Sequence, residues 1–195
     1  MDNATILKEF EAAEAVLHGH FILSSGLHSD TYLQCARVMM DARRGERLCH
    51  VLAQRVQQAG ITDIDVVVAP AMGGVIVGYE LARQLGVPGM FCERQDGVFA
   101  IRRGFSFSEG ARVLMVEDVV TTGKSSLEAM ECVKAHGGMI IGEASLVNRS
   151  GVDNPLPVPL VSLLQIDVPA YQADALPEHL EGIPATKPGS RWLKQ

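Results

Sequence analysis

Two segments in the first 60 residues have apolar side chains at helical spacing. The first extends from Ile6 to Leu17, and we expect this helix to end near Gly19. Its candidate N-terminal caps are Asp2, Asn3 and Thr5. The second covers residues 42–59, where Asp41 is placed to cap the helix and Gly60 to end it.

Residues 20–37, between these two helices, have a different pattern. Strand-like residues such as Phe21 and Tyr32 flank the turn signal Ser24–Gly26. We therefore predict a hairpin or a small hood in this part of the chain.

Beyond residue 60, short apolar runs alternate with helical stretches. The apolar runs are 65–69, 89–92, 113–116, 139–147 and 160–166. The helical stretches are 75–85 and 124–136. Strands that are apolar on both sides are typical of a parallel sheet with helices on both faces. The pattern therefore predicts an open, mostly parallel sheet of the α/β class.

Length and composition indicate a single domain with a net negative charge. The chain has 195 residues, 47% of them hydrophobic, which is near the size of one compact domain. Its net charge is −6, so we expect no general surface for nucleic acid or anionic lipid. No stretch approaches the roughly 20 apolar residues needed to cross a bilayer. We expect no membrane or nucleic-acid partner.

The cysteines indicate the cellular compartment, and the prolines indicate the character of the C-terminal tail. Its four cysteines are far apart and form no Cys-x-x-Cys pair, which predicts reduced thiols in a cytoplasmic protein. The first residues include acids and lack a long apolar run, which argues against secretion. Prolines concentrate after residue 150, so we interpret the tail as a wrapping extension and not as a second domain.

The segment Val113–Ser125 has the clearest candidate chemistry. An apolar strand is expected to end at the acid pair, Glu117 and Asp118, before a polar loop over 117–123 and a helix. Ligands of open α/β sheets bind outside the carboxyl ends of strands. The loop Thr121–Ser125 offers hydroxyls and helix N-terminal N–H groups to a phosphate, and we call it the phosphate cradle. The acid pair suits ribose hydroxyls or a hydrated cation.

Two other interpretations compete with a phosphate site. Gly123, Lys124 and Ser125 match the end of a Walker A loop, but Asp118 stands where that motif needs glycine. A bare Thr-Thr-Gly-Lys-Ser is more often an ordinary strand-to-helix turn whose threonines cap the helix. The full pattern of apolar run, two acids, two apolar residues and Thr-Thr-Gly is far more specific.

This segment resembles the phosphoribosyl pyrophosphate (PRPP) motif of the type I phosphoribosyltransferases. Four further stretches are similar to the orotate phosphoribosyltransferases within that family: Gly19–Tyr32, Ala69–Gly74, Glu93–Phe105 and Leu146–Gly151. The ending Lys187–Arg191 is similar to one bacterial and archaeal branch. The resemblance implies one domain with a helix and hood at 1–40, a PRPP-binding core at 41–150, an extension at 151–195 and a flexible loop between Gly97 and Gly104.

The resemblance also implies roles for individual residues, with Mg²⁺ near Asp118 bridging pyrophosphate and ribose oxygens. The implied PRPP-binding residues are Met72, Gly73, Arg94, Glu117, Asp118, Val119, Val120, Thr121, Thr122, Gly123, Lys124 and Ser125. The implied orotate-binding residues are Tyr32, Thr121 and Arg149. An arginine fork suits the orotate carboxylate because it donates two parallel hydrogen bonds. Without the surrounding motif, Arg149 would be interpreted as a surface loop arginine. Ala69–Gly74 by itself fits an ordinary helix start about as well as a pyrophosphate loop.

Three cationic positions of the family are not kept. Family lysines fall at Ser24 and Gly73, and the segment between Glu93 and Arg112 contains no lysine or histidine. Family members are generally homodimers in which the loop of one subunit reaches the site of the other. We therefore expect Arg102 or Arg103, with Arg94, to stabilise the leaving pyrophosphate in trans, so Arg102 and Arg103 join Glu117 and Asp118 as catalytic candidates. The alternative is a solvated hairpin with exposed arginines.

Three functions remain open at this point. The first is Mg²⁺-dependent transfer of phosphoribose from PRPP to orotate, giving orotidine 5′-monophosphate and pyrophosphate on the route to UMP. The second is the same transfer to another purine or pyrimidine base. The third is a regulator that binds PRPP or a nucleotide without turnover.

Overall fold

A six-stranded sheet forms the centre of the protein in a computed structural model that describes residues 1–23 and 26–187. The eight strands are β1 (Val16–Ile22), β2 (His28–Leu33), β3 (Val66–Pro70), β4 (Gly89–Gln95), β5 (Val98–Ile101), β6 (Arg112–Val120), β7 (Met139–Asn148) and β8 (Leu160–Gln165). The α-helices are α1 (Asn3–Ala12), α2 (Cys35–Met39), α3 (Ala42–Gln58), α4 (Gly73–Leu85) and α5 (Lys124–Ala135). The strand order is β5-β4-β3-β6-β7-β8, and only β4 and β5 pair antiparallel. The predicted mostly parallel α/β sheet is confirmed.

Helices cover both faces of this sheet. Leu114 and Val116 of β6 point to the cluster that contains α1, α3 and α4, whereas Val113 and Met115 pack with Met130 of α5. Neighbouring residues of one strand are therefore buried on opposite sides. This two-sided burial explains why the central strands have continuous apolar runs.

The chain also forms a smaller sheet at its N-terminal side. Strands β1 and β2 pair antiparallel, which confirms the predicted hairpin, and we call this pair the N-terminal hairpin. The tail adds a bridge to each edge of it: Thr186 pairs with Phe21, and Tyr171 pairs with His28. The tail therefore joins the main sheet through β8 and the hairpin through residues 171 and 186. Ser24, Ser25 and most of the ending 187–191 lie outside the described residues.

The first helix is shorter than its apolar spacing predicted. Asp2 caps it by accepting from the Thr5 N–H at 2.8 Å, but the helix ends at Ala12, and Glu14 has a φ of +49°. Val16 pairs with Leu33 in β1 instead of continuing the helix. Strand pairing thus outweighs helical periodicity here, and Ala13 and Ala15 are buried outside any helix.

Three other boundaries also differ from the sequence prediction. Strand β6 extends through the acid pair to Val120 because Val119 and Val120 pair with Val147 and Asn148. Helix α4 begins at Gly73 and not at residue 75. The charged segment 93–110 begins with the hairpin formed by β4 and β5, and β5 is an edge strand of the main sheet. In its turn, Asp96 and Gly97 both have positive φ, as type I′ hairpins require.

Candidate active site

The predicted site residues meet at the edge of the sheet where the parallel strands end. The acid pair lies near the end of β6, the phosphate cradle follows it, and Ala71–Gly74 follows β3. The backbone N–H of Arg149, just after β7, donates to the Val120 carbonyl at 2.8 Å. Parallel pairing therefore brings together segments about 30 to 50 residues apart in the sequence.

The acid pair places two partly or fully buried carboxyl groups at this edge. Glu117 is only 7% exposed, and burial, followed by the charges of Asp118 and Glu143, raises its pKa to about 8. Burial also raises the pKa of Asp118, although Asp118 Oδ1 accepts from the Val119 N–H at 2.9 Å. Both carboxyl groups are thus poorly solvated and available to hydroxyl or cation partners.

Gly73 allows the Asp118 carboxyl to lie against the start of α4. A Cβ atom on Gly73 would be 2.6 Å from both Asp118 carboxylate oxygens. Any larger side chain would therefore push that carboxyl away. Met72, which precedes Gly73, is 84% exposed at the mouth of the site.

The phosphate cradle forms the turn from β6 into α5. Gly123 is the N-cap residue and has a φ of +75°, a conformation that glycine adopts without strain. Helix α5 thus begins just after the strand end that carries the acid pair, and Lys124 and Ser125 are exposed. A helix N-terminus with exposed hydroxyls is suited to a phosphate group.

Arg149 is a half-buried cation beside this edge. Burial lowers the pKa of its guanidinium, and Tyr32 and Cys35 are close enough to influence it. In the part of the chain that the structure describes, no carboxylate lies within 4.0 Å of that guanidinium. The structure therefore brings Arg149 and Tyr32 together, and it leaves Arg149 available to an anionic ligand.

The three arginines of the β4–β5 hairpin are held by carboxylates of their own chain. Arg94 forms an ion pair with Glu128 of α5, and its guanidinium lies 4.1 Å from the Phe99 ring centre. Arg102 and Arg103 contact Glu93 at 3.7 and 2.9 Å. Within one chain, Arg102 and Arg103 thus pair with Glu93 and not with the acid pair.

Comparison with known proteins agrees with this geometry. Residues 40–155 match the family described as "Phosphoribosyl transferase domain". An orotate phosphoribosyltransferase of Sphingopyxis alaskensis is 56% identical over 192 residues, which cover 98% of each chain. The chain belongs to the orotate phosphoribosyltransferases.

Solved structures of the family have the same fold. The orotate phosphoribosyltransferase of Aeropyrum pernix superposes with a TM-score of 0.68 at 27% identity, over 82% of this chain and 93% of the other. That of Mycobacterium tuberculosis, in complex with inorganic phosphate, gives 0.67 at 26% identity, over 84% and 95%. The expected type I phosphoribosyltransferase fold is confirmed.

Sequence reasoning missed two buried polar residues next to the site of this phosphoribosyltransferase. Glu143 of β7 is 0% exposed, and it accepts a hydrogen bond from Ser126 Oγ at 2.6 Å. The apolar run 139–147 concealed Glu143, although a single acid inside a buried strand is itself a signal. Ser126 follows the family motif directly and was counted only as part of a helix.

Proposed function

We propose that this orotate phosphoribosyltransferase binds PRPP and orotate at the edge where β3, β6 and β7 end. The reaction forms a bond between a nitrogen of orotate and C1′ of the ribose, while the bond from C1′ to the pyrophosphate oxygen breaks. The products are orotidine 5′-monophosphate and pyrophosphate. The observation that supports the proposal best is the convergence of the acid pair, the phosphate cradle and Arg149 at one edge of the sheet.

The acid pair and the cradle are assigned to PRPP. Carboxylates accept hydrogen bonds from the ribose 2′ and 3′ hydroxyls, and Asp118 is half-buried where a hydroxyl can reach it. The 5′-phosphate is assigned to the cradle, including backbone groups near Val119 and Val120, because the N-terminus of α5 favours an anion. Pyrophosphate is assigned to Met72 and Gly73 at the start of α4. The M. tuberculosis orotate phosphoribosyltransferase was solved in complex with inorganic phosphate, which supports a phosphate-binding role for this fold.

Orotate is assigned to Arg149, Thr121 and Tyr32. The guanidinium of Arg149, which forms no ion pair with a described carboxylate, donates two parallel hydrogen bonds to the orotate carboxylate, and Tyr32 provides a ring beside it. The base then lies next to the ribose, so that attack needs little reorientation. Proximity and charge stabilisation supply the rate enhancement.

Mg²⁺ fits this site as a companion of PRPP. Among the described residues, no group of three or more His, Cys, Asp or Glu side chains is arranged to hold a metal ion. The acid pair offers carboxylate oxygens, and Mg²⁺ commonly takes one or two carboxylates together with substrate phosphates and water. Asp118 is the candidate ligand. When bound, the ion would neutralise charge on the departing pyrophosphate.

We also propose a homodimer in which the β4–β5 hairpin serves the partner's site. Helix α4 exposes Ile76 (55%) and Tyr79 (69%) on the face that begins at Met72, which is the kind of apolar patch that subunit contacts bury. Arg94, Arg102 and Arg103 would exchange their carboxylate partners for pyrophosphate when the loop between Gly97 and Gly104 closes.

We propose a cytoplasmic protein in which residues 1–40, 41–150 and 151–195 act as hood, core and extension of one domain. All four cysteines are free and buried, as reduced thiols would be. The structure describes no helix that is both long enough and apolar enough to cross a membrane.

The experiment that tests the function measures pyrophosphate release from PRPP with orotate, adenine or uracil. We expect turnover with orotate, and we expect it to need Mg²⁺. Turnover with adenine or uracil but not with orotate would contradict the base assignment. Binding of PRPP with no turnover of any base would make the protein a regulator.

A further inference from the structure

Glu143 is a buried acid that the proposed reaction does not use. It is fully buried in β7, where it pairs with Met115 of β6. One carboxyl oxygen accepts from Ser126 Oγ at 2.6 Å. The other, Oε2, has no hydrogen-bond partner among the described residues. Such an arrangement costs stability compared with an apolar side chain of the same size, so packing does not explain it.

The position of Glu143 relates it to the proposed PRPP site. Ser126 is 2% exposed and belongs to the first turn of α5, directly after the phosphate cradle. Two residues along β7, Ser145 pairs with Glu117 of the acid pair. Glu143 thus lies under the cradle, and its charge is one cause of the raised pKa of Glu117.

We infer that Glu143 is a positioning residue for PRPP, which fixes the first turn of α5 against the sheet by accepting the Ser126 hydrogen bond. This inference rests on the proposed function of the cradle. Glu143 contacts α5 through the Ser126 hydroxyl. The backbone of β7 pairs with the neighbouring strands β6 and β8. Loss of the link would let the N–H groups of the cradle shift from the direction in which they meet the 5′-phosphate.

Glu143 can accept the Ser126 hydrogen bond in either protonation state. Burial raises its pKa to about 7, and a protonated carboxyl still offers Oε1 as an acceptor to Ser126. A glutamine has the same shape and the same acceptor. Glu143→Gln should therefore keep the contact, whereas Glu143→Leu keeps only the volume.

The test compares the dissociation constant of PRPP, by calorimetry with Mg²⁺ present, with the KM values of both substrates. For Ser126→Ala and Glu143→Leu we expect the dissociation constant and KM of PRPP to rise about tenfold, as expected for one lost buried hydrogen bond, and the KM of orotate to stay within about twofold. Glu143→Gln should restore PRPP binding to within about twofold of the original protein. The double variant Ser126→Ala/Glu143→Leu should be no weaker than the worse single variant, because both remove one contact.

Ser162→Ala is the matched control. It removes a part-buried hydroxyl contact of β7, the 2.7 Å bond between Ser145 and Ser162, but that contact leads to β8 and not to α5. We expect a lower melting temperature and unchanged PRPP binding. The inference is wrong if Ser126→Ala leaves PRPP binding unchanged, if both substrates weaken equally, or if Ser162→Ala weakens PRPP binding as much. Should Glu143→Leu fail to fold, Ser126→Ala and Glu143→Gln decide alone. If PRPP binds but orotate is not used, the proposed function fails while the binding test still stands.

Discussion

At the residue scale, Glu117 and Arg149 are two ionisable groups whose pKa values are shifted mainly by burial. Glu117 shares its buried edge with Asp118 and Glu143, so like charges and burial act in the same direction. Arg149 is only half-buried, and burial lowers its pKa. In the proposed function both groups would gain a partner from the substrates, and strongly perturbed ionisable groups are often found at such sites.

The pKa of Glu117 makes the free protein lose stability as the pH rises. Its folded pKa is about 8, compared with 4.5 for an ordinary glutamate, so between these values the unfolded chain releases its proton first. The free energy of unfolding should fall as the pH rises from about 4.5 to about 8, and Glu117→Gln should reduce that fall by roughly 1–3 kcal/mol. Urea titrations at several pH values measure it. Glu131→Gln, at an exposed position of α5, is the control and should leave the slope unchanged.

Arg149→Ala should separate the two substrates. The orotate carboxylate would lose a charged donor pair, so the KM for orotate should rise about 10- to 100-fold while the KM for PRPP stays within about threefold. Steady-state kinetics with each substrate varied in turn measures this ratio. Equal increases for both substrates would show that Arg149 supports the structure and does not bind the base.

At the scale of the elements, the turn from β6 into α5 depends on Gly123. An alanine there would be strained at φ +75°, and its Cβ would lie 2.8 Å from Leu156 Cδ2. Gly123→Ala should cost roughly 1–3 kcal/mol of stability and also weaken PRPP binding, because the cradle must shift. Gly110→Ala has the same φ of +75° with nothing within 4 Å of its Cβ, so it should lower stability without changing PRPP binding. Similar PRPP binding in both variants would contradict the role of the cradle.

The elements also show what the sequence could predict. The core strands were predictable because each is buried on both faces and therefore continuously apolar, as in β3. The end of α1 was not predictable, since Ala13, Ala15, Val16 and Leu17 fit either a helix or a strand. The pairing of Val16 with Leu33 selects the strand. The acid pair and cradle follow from a contiguous motif. The Glu143 contact with Ser126 joins two elements and has no local pattern.

At the scale of the whole molecule, the hairpin arginines connect one subunit to the next in the proposed dimer. In a single chain, Arg102 and Arg103 contact Glu93, and Arg94 contacts Glu128. These pairs are largely exposed, and exposed pairs contribute only about 0–1 kcal/mol. Pyrophosphate, with several negative charges, is able to displace such carboxylates.

Mixing two inactive variants should therefore restore activity. Asp118→Asn disables the acid pair, and Arg102→Ala/Arg103→Ala disables the loop, but a hybrid dimer contains one site in which both are intact. After subunit exchange, part of the original rate of pyrophosphate release should return. Asp118→Asn mixed with Glu117→Ala, a change in the same acid pair, is the control and should stay inactive. Verified exchange without recovery would contradict a loop that acts in trans.

The two tail bridges to the N-terminal hairpin have a consequence for synthesis on the ribosome. Strands β1 and β2 emerge early, but among the described residues their outer edges pair with residues 171 and 186, about 140 to 165 residues later. Contacts so distant in sequence form slowly and late. The outer edges of the hairpin that contains Tyr32 thus stay unpaired until after most of the main sheet has been synthesised. Under the proposed function, the segments assigned to PRPP, which end at Ser125, therefore leave the ribosome before the tail residues that pair with the hairpin assigned to orotate.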